Sequence, residues 1–199
     1  KSPGIGDLQI MLSNIHHISK EIDEPVTILT QKNTRAKAVF KHDPHHVDEI
    51  LNLEKKDFFN IINKIKTKYD RSYIYSDSLR LYLISRFAGI KKIYHYPFFS
   101  KKNKNFFKTA QNFTEKILQK KIDSASKIYW DSNDIEKAKK DYEIKSNVKN
   151  IVCGISASGP TKRWDIDNYI KLFQKISSQL PCKFFLFGGK SDEVLIGKL

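Results

Sequence analysis

The chain has 199 residues, of which 40% are hydrophobic and 12% aromatic, and this composition excludes an intrinsically disordered protein. Lysine and arginine (36) outnumber aspartate and glutamate (22), and the formal net charge of +14 favours anionic partners such as nucleic acid, an anionic membrane surface or phosphorylated small molecules. No apolar run approaches the roughly 18 residues that a membrane-spanning helix needs. The two cysteines lie in short apolar, strand-like runs, which is typical of a protein from a reducing compartment.

The first half of the sequence alternates helix-like and strand-like segments with short connections. Apolar residues spaced for one helix face mark the helices, as in KDFFNIINKIKTKY, and runs rich in β-branched and aromatic residues mark the strands. This alternation predicts an α/β protein with a parallel, doubly wound sheet. In chain order the predicted elements are a helix at 13–20, a strand at 26–30, a helix at 33–40, a strand at 47–51, a helix at 56–69, a strand at 69–76, a helix at 78–89 capped by Gly89, and a strand at 90–96.

The pattern changes after Pro97. Residues 97–126 are rich in lysine and mostly helix-like, and the elements predicted after them are a short strand at 127–130, a charged helix at 131–144, a strand at 147–156, a helix at 166–180 and a strand at 183–187. We place a domain boundary at 145/146, with an N-terminal domain at 1–145 and the beginning of a second domain at 146–199. Because a doubly wound domain usually needs ~100 residues or more, we expect the chain to stop partway through the second domain.

A glycine-rich turn, Gly4-Ile5-Gly6, directly precedes the first helix. Such a turn exposes backbone N–H groups at the positive end of a helix and lets a ligand approach closely. A dinucleotide-binding fingerprint would need a third glycine or alanine, but Gln9 stands at that place. The turn therefore predicts a binding site other than one for a nicotinamide cofactor.

Asp7 follows this turn in the first turn of the helix. The helix end stabilises the carboxylate as an anion, so a carboxylate that faces a cleft here could accept a proton from a hydroxyl nucleophile. Aspartate is also one of the preferred residues for capping a helix start, and a cap contributes ~1 kcal/mol without any catalytic role. The residue pattern alone leaves both interpretations open.

A second turn, SASGPTKRW, also precedes an amphipathic helix. It combines hydroxyls, a glycine and two cations, a set suited to a diphosphate at a helix start. It is not a Walker A loop, which needs GxxxxGK followed by serine or threonine. The alternative is a capped helix start followed by a packing Trp164. The candidate donor-binding residues are Ser156, Ser158, Gly159, Thr161, Lys162 and Arg163.

These residues resemble the conserved segments of glycosyltransferase family 9, the ADP-heptose:lipopolysaccharide heptosyltransferases. The resemblance covers nearly the whole chain in order, and the combination of GIGD with GPTKRW is its most specific feature. Its segments are GIGDLQIMLSNI, DPHHVDEIL, YDRSYIYSDSLRLYLISRFAGIKKIYHY, ASGPTKRWDIDNY and KFFLFGGKSDE.

The resemblance implies a GT-B fold, with two Rossmann-like domains, and an inverting sugar transfer that needs neither a metal nor a cofactor. Asp7 would be the general base and Lys162 would offset the charge of the leaving diphosphate. Ser158 and Thr161 would lie near the donor diphosphate. Gly4 and Gly6 would let the acceptor approach the base.

Two departures from the family pattern bear on activity. Gly154, Ile155 and Ser156 stand where the family often has His-Pro-Gly, and the family's first strand and its later Asp-Thr-Gly…His segment are not within these residues. We therefore expect the 199 residues alone to be inactive, and residues to precede Lys1.

The resemblance also implies partners and a location. The implied partners are a nucleotide-sugar donor and a lipid-linked or phosphorylated saccharide acceptor, and no nucleic acid is expected. The implied location is the cytoplasm, peripheral to the inner membrane. The segment HYPFFSKKNKNFFKTAQNF interleaves aromatic residues with lysines, as an anionic membrane surface would favour. The alternative is a helix that packs Phe106, Phe107 and Phe113 inward.

Three other interpretations remain. The cluster His42, His45 and His46 lacks a fourth ligand nearby, so we expect no metal site. The net charge also fits a nucleic-acid-binding α/β module without catalytic activity, although no RNA- or DNA-binding signature is present. An adaptor with a degenerate site is the third.

Of the pair His16-His17, one must point away from the core, either to the surface or toward Asp7.

Overall fold

The computed structural model describes residues 4–52, 57–98, 105–155, 157, 160–189 and 192–199. The chain divides into two compact units, Lys1–Asp131 and Ser132–Leu199. The first unit thus ends before the charged helix, whereas the sequence analysis placed that helix in the N-terminal domain. In the described residues, no helix combines the length and the apolar character of a membrane span.

The first unit alternates helices and strands, and its described strands pair in parallel. Strand β1 (Val26–Thr30) pairs with β2 (His46–Asn52), and β3 (Arg71–Ile74) pairs with β4 (Lys92–His95). A connection between parallel neighbours has to cross over, which explains the helices between paired strands. The helices of this unit are α1 (Ile5–Ile22), α2 (Ala36–Val39), α3 (Phe58–Ile65), α4 (Leu79–Phe87) and α5 (Phe106–Leu118).

Two apolar clusters form the core of the first unit, and each joins helices to a strand. The first packs α1 and α2 on β1, and the second packs α3 and α4 beside β2. The buried members of the first are Leu8, Leu12, Ile15, Ile28, Ala36, Val39 and Phe40. Those of the second are Leu51, Ile61, Ile62, Ile65, Ile84, Ala88 and Ile90.

The second unit repeats the arrangement on a smaller scale. Strand β5 (Lys149–Gly154) pairs in parallel with β6 (Cys182–Phe187), and the connection carries α7 (Ile166–Ser177). Phe173 of α7 stacks on Phe184 of β6 with ring centroids 4.3 Å apart, which fixes the helix on the sheet. The unit begins with α6 (Ser132–Asp141) and ends with the short α8 (Glu193–Ile196).

The structure corrects three of the predicted elements. The first helix spans Ile5–Ile22 with Gly4 as its N-cap, so the predicted bounds of 13–20 are too short, whereas the predicted place of Asp7 in its first turn is confirmed. The predicted helix at 33–40 is broken at Arg35, whose φ of 52° ends a 3₁₀ turn (Lys32–Thr34) before α2 starts. The predicted strand at 127–130 pairs with no strand among the described residues. Its Tyr129 ring packs against two imidazoles instead of a strand.

Candidate functional site

Asp7 lies in the first turn of α1 with its side chain exposed. Its Oδ2 accepts a hydrogen bond from the backbone N–H of Gly4, the N-cap residue, over 2.8 Å. The carboxylate therefore satisfies one of the N–H groups that a helix start leaves unpaired. Because the side chain is also exposed, the capping role and a role toward a ligand are compatible.

Neither glycine in the turn is explained by the first unit's own packing. Gly4 is in extended backbone (φ −102°) and Gly6 lies in the helix, so neither needs the left-handed conformation that favours glycine. A Cβ atom added at either position would meet no atom of the described residues within 4 Å. The two missing side chains leave open space directly beside the Asp7 carboxylate.

A polar face of α1 is buried, which the sequence analysis did not foresee. Ser13 donates a hydrogen bond to the carbonyl of Asp123, and His17 Nε2 lies 3.2 Å from the same oxygen. Asn14 Oδ1 accepts from Thr114 of α5 over 2.7 Å. These bonds tie α1 to α5 and to the chain that follows it. The helix that carries Asp7 is therefore held by polar contacts as well as by its apolar face.

A buried histidine–aspartate pair anchors the same helix. His16 Nε2 lies 2.7 Å from Asp43 Oδ2, and the other oxygen of Asp43 accepts from the backbone N–H of His45. Burial alone would raise the pKa of Asp43, but the hydrogen bonds from His16 and His45 outweigh it and hold this pKa below its ordinary value. The structure thus resolves the His16-His17 pair: His16 points into the unit, and His17 lies against the Asp123 carbonyl oxygen in the segment after α5.

The other histidines of this loop are also held by protein groups. His45 Nε2 lies 3.3 Å from the Tyr129 hydroxyl, and His46 Nδ1 lies 2.9 Å from the Asp43 carbonyl oxygen. Burial, and then the nearby His16, lower the pKa of His45. The loop therefore serves as a packed junction between β2, α1 and the segment that contains Tyr129.

In the second unit, the described donor-site candidates lie together in one turn, which we call the cationic turn (residues 160–163). A 3₁₀ turn, Pro160–Lys162, brings Thr161 and Lys162 to the surface, and Arg163 follows. Within the described part of the chain Lys162 has no ion-pair partner, whereas Arg163 Nη2 lies 3.0 Å from Asp192 Oδ1. The remaining candidates, Ser156, Ser158 and Gly159, lie outside the described residues.

Helix α7 begins directly after the cationic turn with its own cap. Asp165 is the N-cap, and its Oδ1 accepts from the backbone N–H of Asp167 over 2.9 Å. The Trp164 side chain is half exposed and meets the Tyr169 ring edge-on, with centroids 5.0 Å apart. Because Asp165 caps the helix, the hydroxyl and cation of Thr161 and Lys162 are not needed for capping.

Comparisons with known proteins identify a family. A sequence profile described as "Glycosyltransferase family 9 (heptosyltransferase)" matches residues 58–198. This span includes the cationic turn, but Gly4, Gly6 and Asp7 lie before it. No curated protein sequence matches the chain.

Two solved structures are similar in fold. One is the glycosyl transferase family 9 protein from Veillonella parvula, with a TM-score of 0.77 and 13% identity, which covers 100% of this chain and 63% of that chain. The other is the E. coli ADP-heptose LPS heptosyltransferase II, with a TM-score of 0.70 and 16% identity, which covers 99% of this chain and 66% of that chain. The chain thus spans slightly less than two thirds of each.

The matches to these heptosyltransferases, together with the parallel strands of both units, confirm the predicted α/β fold class of GT-B type. At such low identity the structural likeness concerns the fold alone. The profile match extends over more than half of the residues. The chain belongs to glycosyltransferase family 9.

Proposed function

We propose that the full-length protein is an inverting, metal-independent glycosyltransferase. It moves a heptose or a related sugar from a nucleotide diphosphate donor to a hydroxyl of a lipopolysaccharide core or surface polysaccharide. The observation that carries the proposal is the exposed Asp7 carboxylate beside two glycines whose missing side chains leave open space. Family membership and the exposed Lys162 in the cationic turn support it.

The chemistry divides between the two turns. The acceptor hydroxyl oxygen attacks the anomeric carbon of the donor while its proton passes to the Asp7 carboxylate. The bond between the anomeric carbon and the phosphate oxygen breaks, and the nucleoside diphosphate leaves with the electron pair. Lys162, with the hydroxyl of Thr161, stabilises the charge that develops on the leaving oxygen. Attack opposite to the leaving group inverts the anomeric configuration.

Substituting Asp7→Asn separates the two roles of this residue. The asparagine amide oxygen can still accept the hydrogen bond from Gly4 N–H, but the side chain can no longer take a proton. In the full-length protein we expect an unchanged melting temperature, retained ADP binding, and turnover of ADP-heptose lowered by roughly 10²–10⁴-fold. The matched control is Asp57→Asn at the start of α3, which should keep full turnover. Full turnover in Asp7→Asn would leave Asp7 as a cap only.

The net charge of +14 also fits a nucleic-acid-binding module. Thermal stabilisation by a nucleoside diphosphate and binding to DNA, both measured on the full-length protein, distinguish the two functions. A transferase is stabilised by a nucleoside diphosphate, by about 2.7 kcal/mol at 100 times its dissociation constant. A nucleic-acid-binding module would instead bind arbitrary DNA with a steep salt dependence and would show no such stabilisation.

We also propose that the protein works in the cytoplasm at the inner membrane surface. Phe106 and Phe107, the first residues of α5, are 39% and 37% exposed rather than packed inward, whereas the Phe113 ring meets those of Tyr75 and Tyr96. Aromatic side chains beside cations are the usual composition of a peripheral membrane contact. The lysines at 101, 102 and 104 lie outside the described residues.

A further inference from the structure

The side chain of Asp192 is completely buried, and the proposed reaction gives it no role. A buried carboxylate is costly unless it is paired and hydrogen-bonded. Its Oδ2 accepts from the backbone N–H of Gly189 over 2.9 Å, and its Oδ1 lies 3.0 Å from Arg163 Nη2. Although Asp192 precedes α8 at the N-cap position, it makes no capping hydrogen bond. The carboxylate therefore binds Gly189 and Arg163, which lie outside α8, instead of capping that helix.

Arg163 connects this buried carboxylate to the other side of the cationic turn. While Nη2 faces Asp192, its Nε lies 3.4 Å from the carbonyl oxygen of Ala157 and donates to it. The guanidinium thus spans from the chain before the turn to the chain after β6. A planar, rigid donor fork is suited to such a two-sided contact.

The surrounding backbone fixes the position of Asp192. A Cβ atom at Gly188 would lie 3.1 Å from Asp192 Cβ and 3.1 Å from Ile196 Cδ1, so only glycine fits there without displacement. The backbone N–H of Ile155 donates to the carbonyl of Phe187 over 3.0 Å and continues the pairing of β5 and β6 by one residue beyond Gly154. Asp192 is therefore a fixed point at the carboxyl ends of both strands.

We infer that Asp192 is a positioning residue that holds the cationic turn through Arg163. The inference rests on the proposed function for the identity of the ligand. The two adjacent cations differ in their surroundings: the charge of Arg163 is offset by a buried carboxylate, while Lys162 is exposed and, among described residues, has no ion-pair partner. The sequence pattern predicted donor binding for both, and the family resemblance added a role at the leaving diphosphate for Lys162 alone.

The direction in which Asp192→Asn changes the affinity for ADP tests the inference. Asp192→Asn removes a negative charge near an anion-binding turn, so electrostatics alone would tighten binding of an anion. A positioning role predicts the opposite, because the single amide oxygen of asparagine cannot accept from both Gly189 and Arg163, and the turn loses part of its support. With ADP as the probe and the full-length protein in a calorimeter, we expect Asp192→Asn to weaken binding about tenfold. Unchanged or tighter binding would overturn the inference.

The matched control is Asp167→Asn, an exposed carboxylate of the same unit, which should leave the ADP affinity within about twofold. Lys162→Met should weaken binding as a direct contact. If the wild-type protein binds neither ADP nor another nucleoside diphosphate, the proposed function fails, and a ligand-free measurement still decides the positioning role.

That measurement is hydrogen exchange of the peptide 155–165 in the ligand-free protein. Arg163→Met should raise its exchange, because the link from Ala157 to Asp192 is lost, whereas Lys162→Met should not. If Arg163 were instead a direct phosphate ligand, exchange without ligand would be the same in both variants, and the inference would be wrong. The comparison does not require Asp192→Asn to fold.

Discussion

At the scale of single residues, Gly4 and Gly6 show how a glycine can point to function. Gly89 has a φ of 83° after α4, so its backbone conformation explains why glycine occupies that position. Gly4 and Gly6 have neither a positive φ nor a close neighbour. We therefore propose that a ligand approaches the backbone beside Asp7, which would account for glycine at both positions.

Gly6→Ala tests this explanation. Alanine fits the first turn of α1 and reduces the freedom of the unfolded chain, so the free energy of unfolding should rise by about 0.4–1 kcal/mol. Turnover of ADP-heptose should nevertheless fall at least tenfold, because the added methyl group occupies the space left for the acceptor. Chemical denaturation and a turnover assay of the full-length protein measure the two effects. Unchanged turnover in a stabilised variant would show that no ligand atom comes close to Gly6.

The buried pair of His16 and Asp43 makes stability depend on pH. Because the folded protein holds the pKa of Asp43 below its ordinary value of 3.8, the stability it contributes is present above that pH and is lost as the pH falls through the folded value. The lowered pKa of His45 acts in the same direction, and its contribution declines as the pH falls below about 6.5.

Asp43→Asn should therefore lower the free energy of unfolding at pH 7 by about 1.5–3 kcal/mol, the size of a buried hydrogen bond to a charged group. It should also flatten the acid limb of the stability curve below about pH 4. The control is Asp70→Asn, whose carboxylate pairs with Arg71 at the surface and is 77% exposed; we expect it to cost under about 0.5 kcal/mol. Equal effects of the two substitutions would contradict a structural role for the buried pair.

At the scale of elements, apolar periodicity predicted the helices that bury a single apolar face. The apolar stripe of α3 is buried as expected at Ile61, Ile62 and Ile65. The run at 127–130 has strand-like composition but no strand partner in the part of the chain that the structure describes, because pairing depends on a neighbour that local sequence does not specify. Likewise the link between Arg163 and Asp192 joins residues far apart in the chain, so no local pattern could have indicated it.

The packing of α1 against α5 depends on one buried hydroxyl. Thr114 is fully buried; its Oγ1 lies 2.7 Å from Asn14 Oδ1 and 2.6 Å from the Tyr75 hydroxyl. Burial raises the pKa of Tyr75, so this phenol stays protonated and can donate to Thr114. A chain of three polar groups therefore joins α1, α5 and the end of β3.

Thr114→Val keeps the shape of this side chain but leaves Asn14 and Tyr75 without their partner. We expect the free energy of unfolding to fall by about 1–3 kcal/mol, the cost of an unsatisfied buried polar group. Thr109→Val on the same helix is the matched control, because its hydroxyl bonds a carbonyl near the surface and its loss should change stability by under about 0.5 kcal/mol. Urea denaturation measures both, and similar values for the two would show that the chain of polar groups contributes no stability.

At the scale of the whole molecule, the net charge of +14 is a property of the entire surface rather than of the cationic turn. Each lysine or arginine close to an anionic bilayer contributes about 1 kcal/mol to attraction, and this contribution is screened within a Debye length. Charge alone would hold the protein at a membrane in many orientations. The exposed Phe106 and Phe107 give one region of the first unit an apolar contact in addition.

Binding to vesicles separates these contributions. The full-length protein should co-sediment with vesicles of phosphatidylcholine containing about one third phosphatidylglycerol, and much less with phosphatidylcholine alone, because charge dominates the attraction. Raising the salt to about 0.5 M should release most of it. The double variant Phe106→Ser, Phe107→Ser should weaken binding severalfold, whereas Phe59→Ser, at a side chain 76% exposed on α3, should not. Equal losses of vesicle binding in the two variants would mean that exposed aromatic residues act without regard to their position. Equal binding of the wild-type protein to both kinds of vesicle would contradict the peripheral membrane contact that we propose.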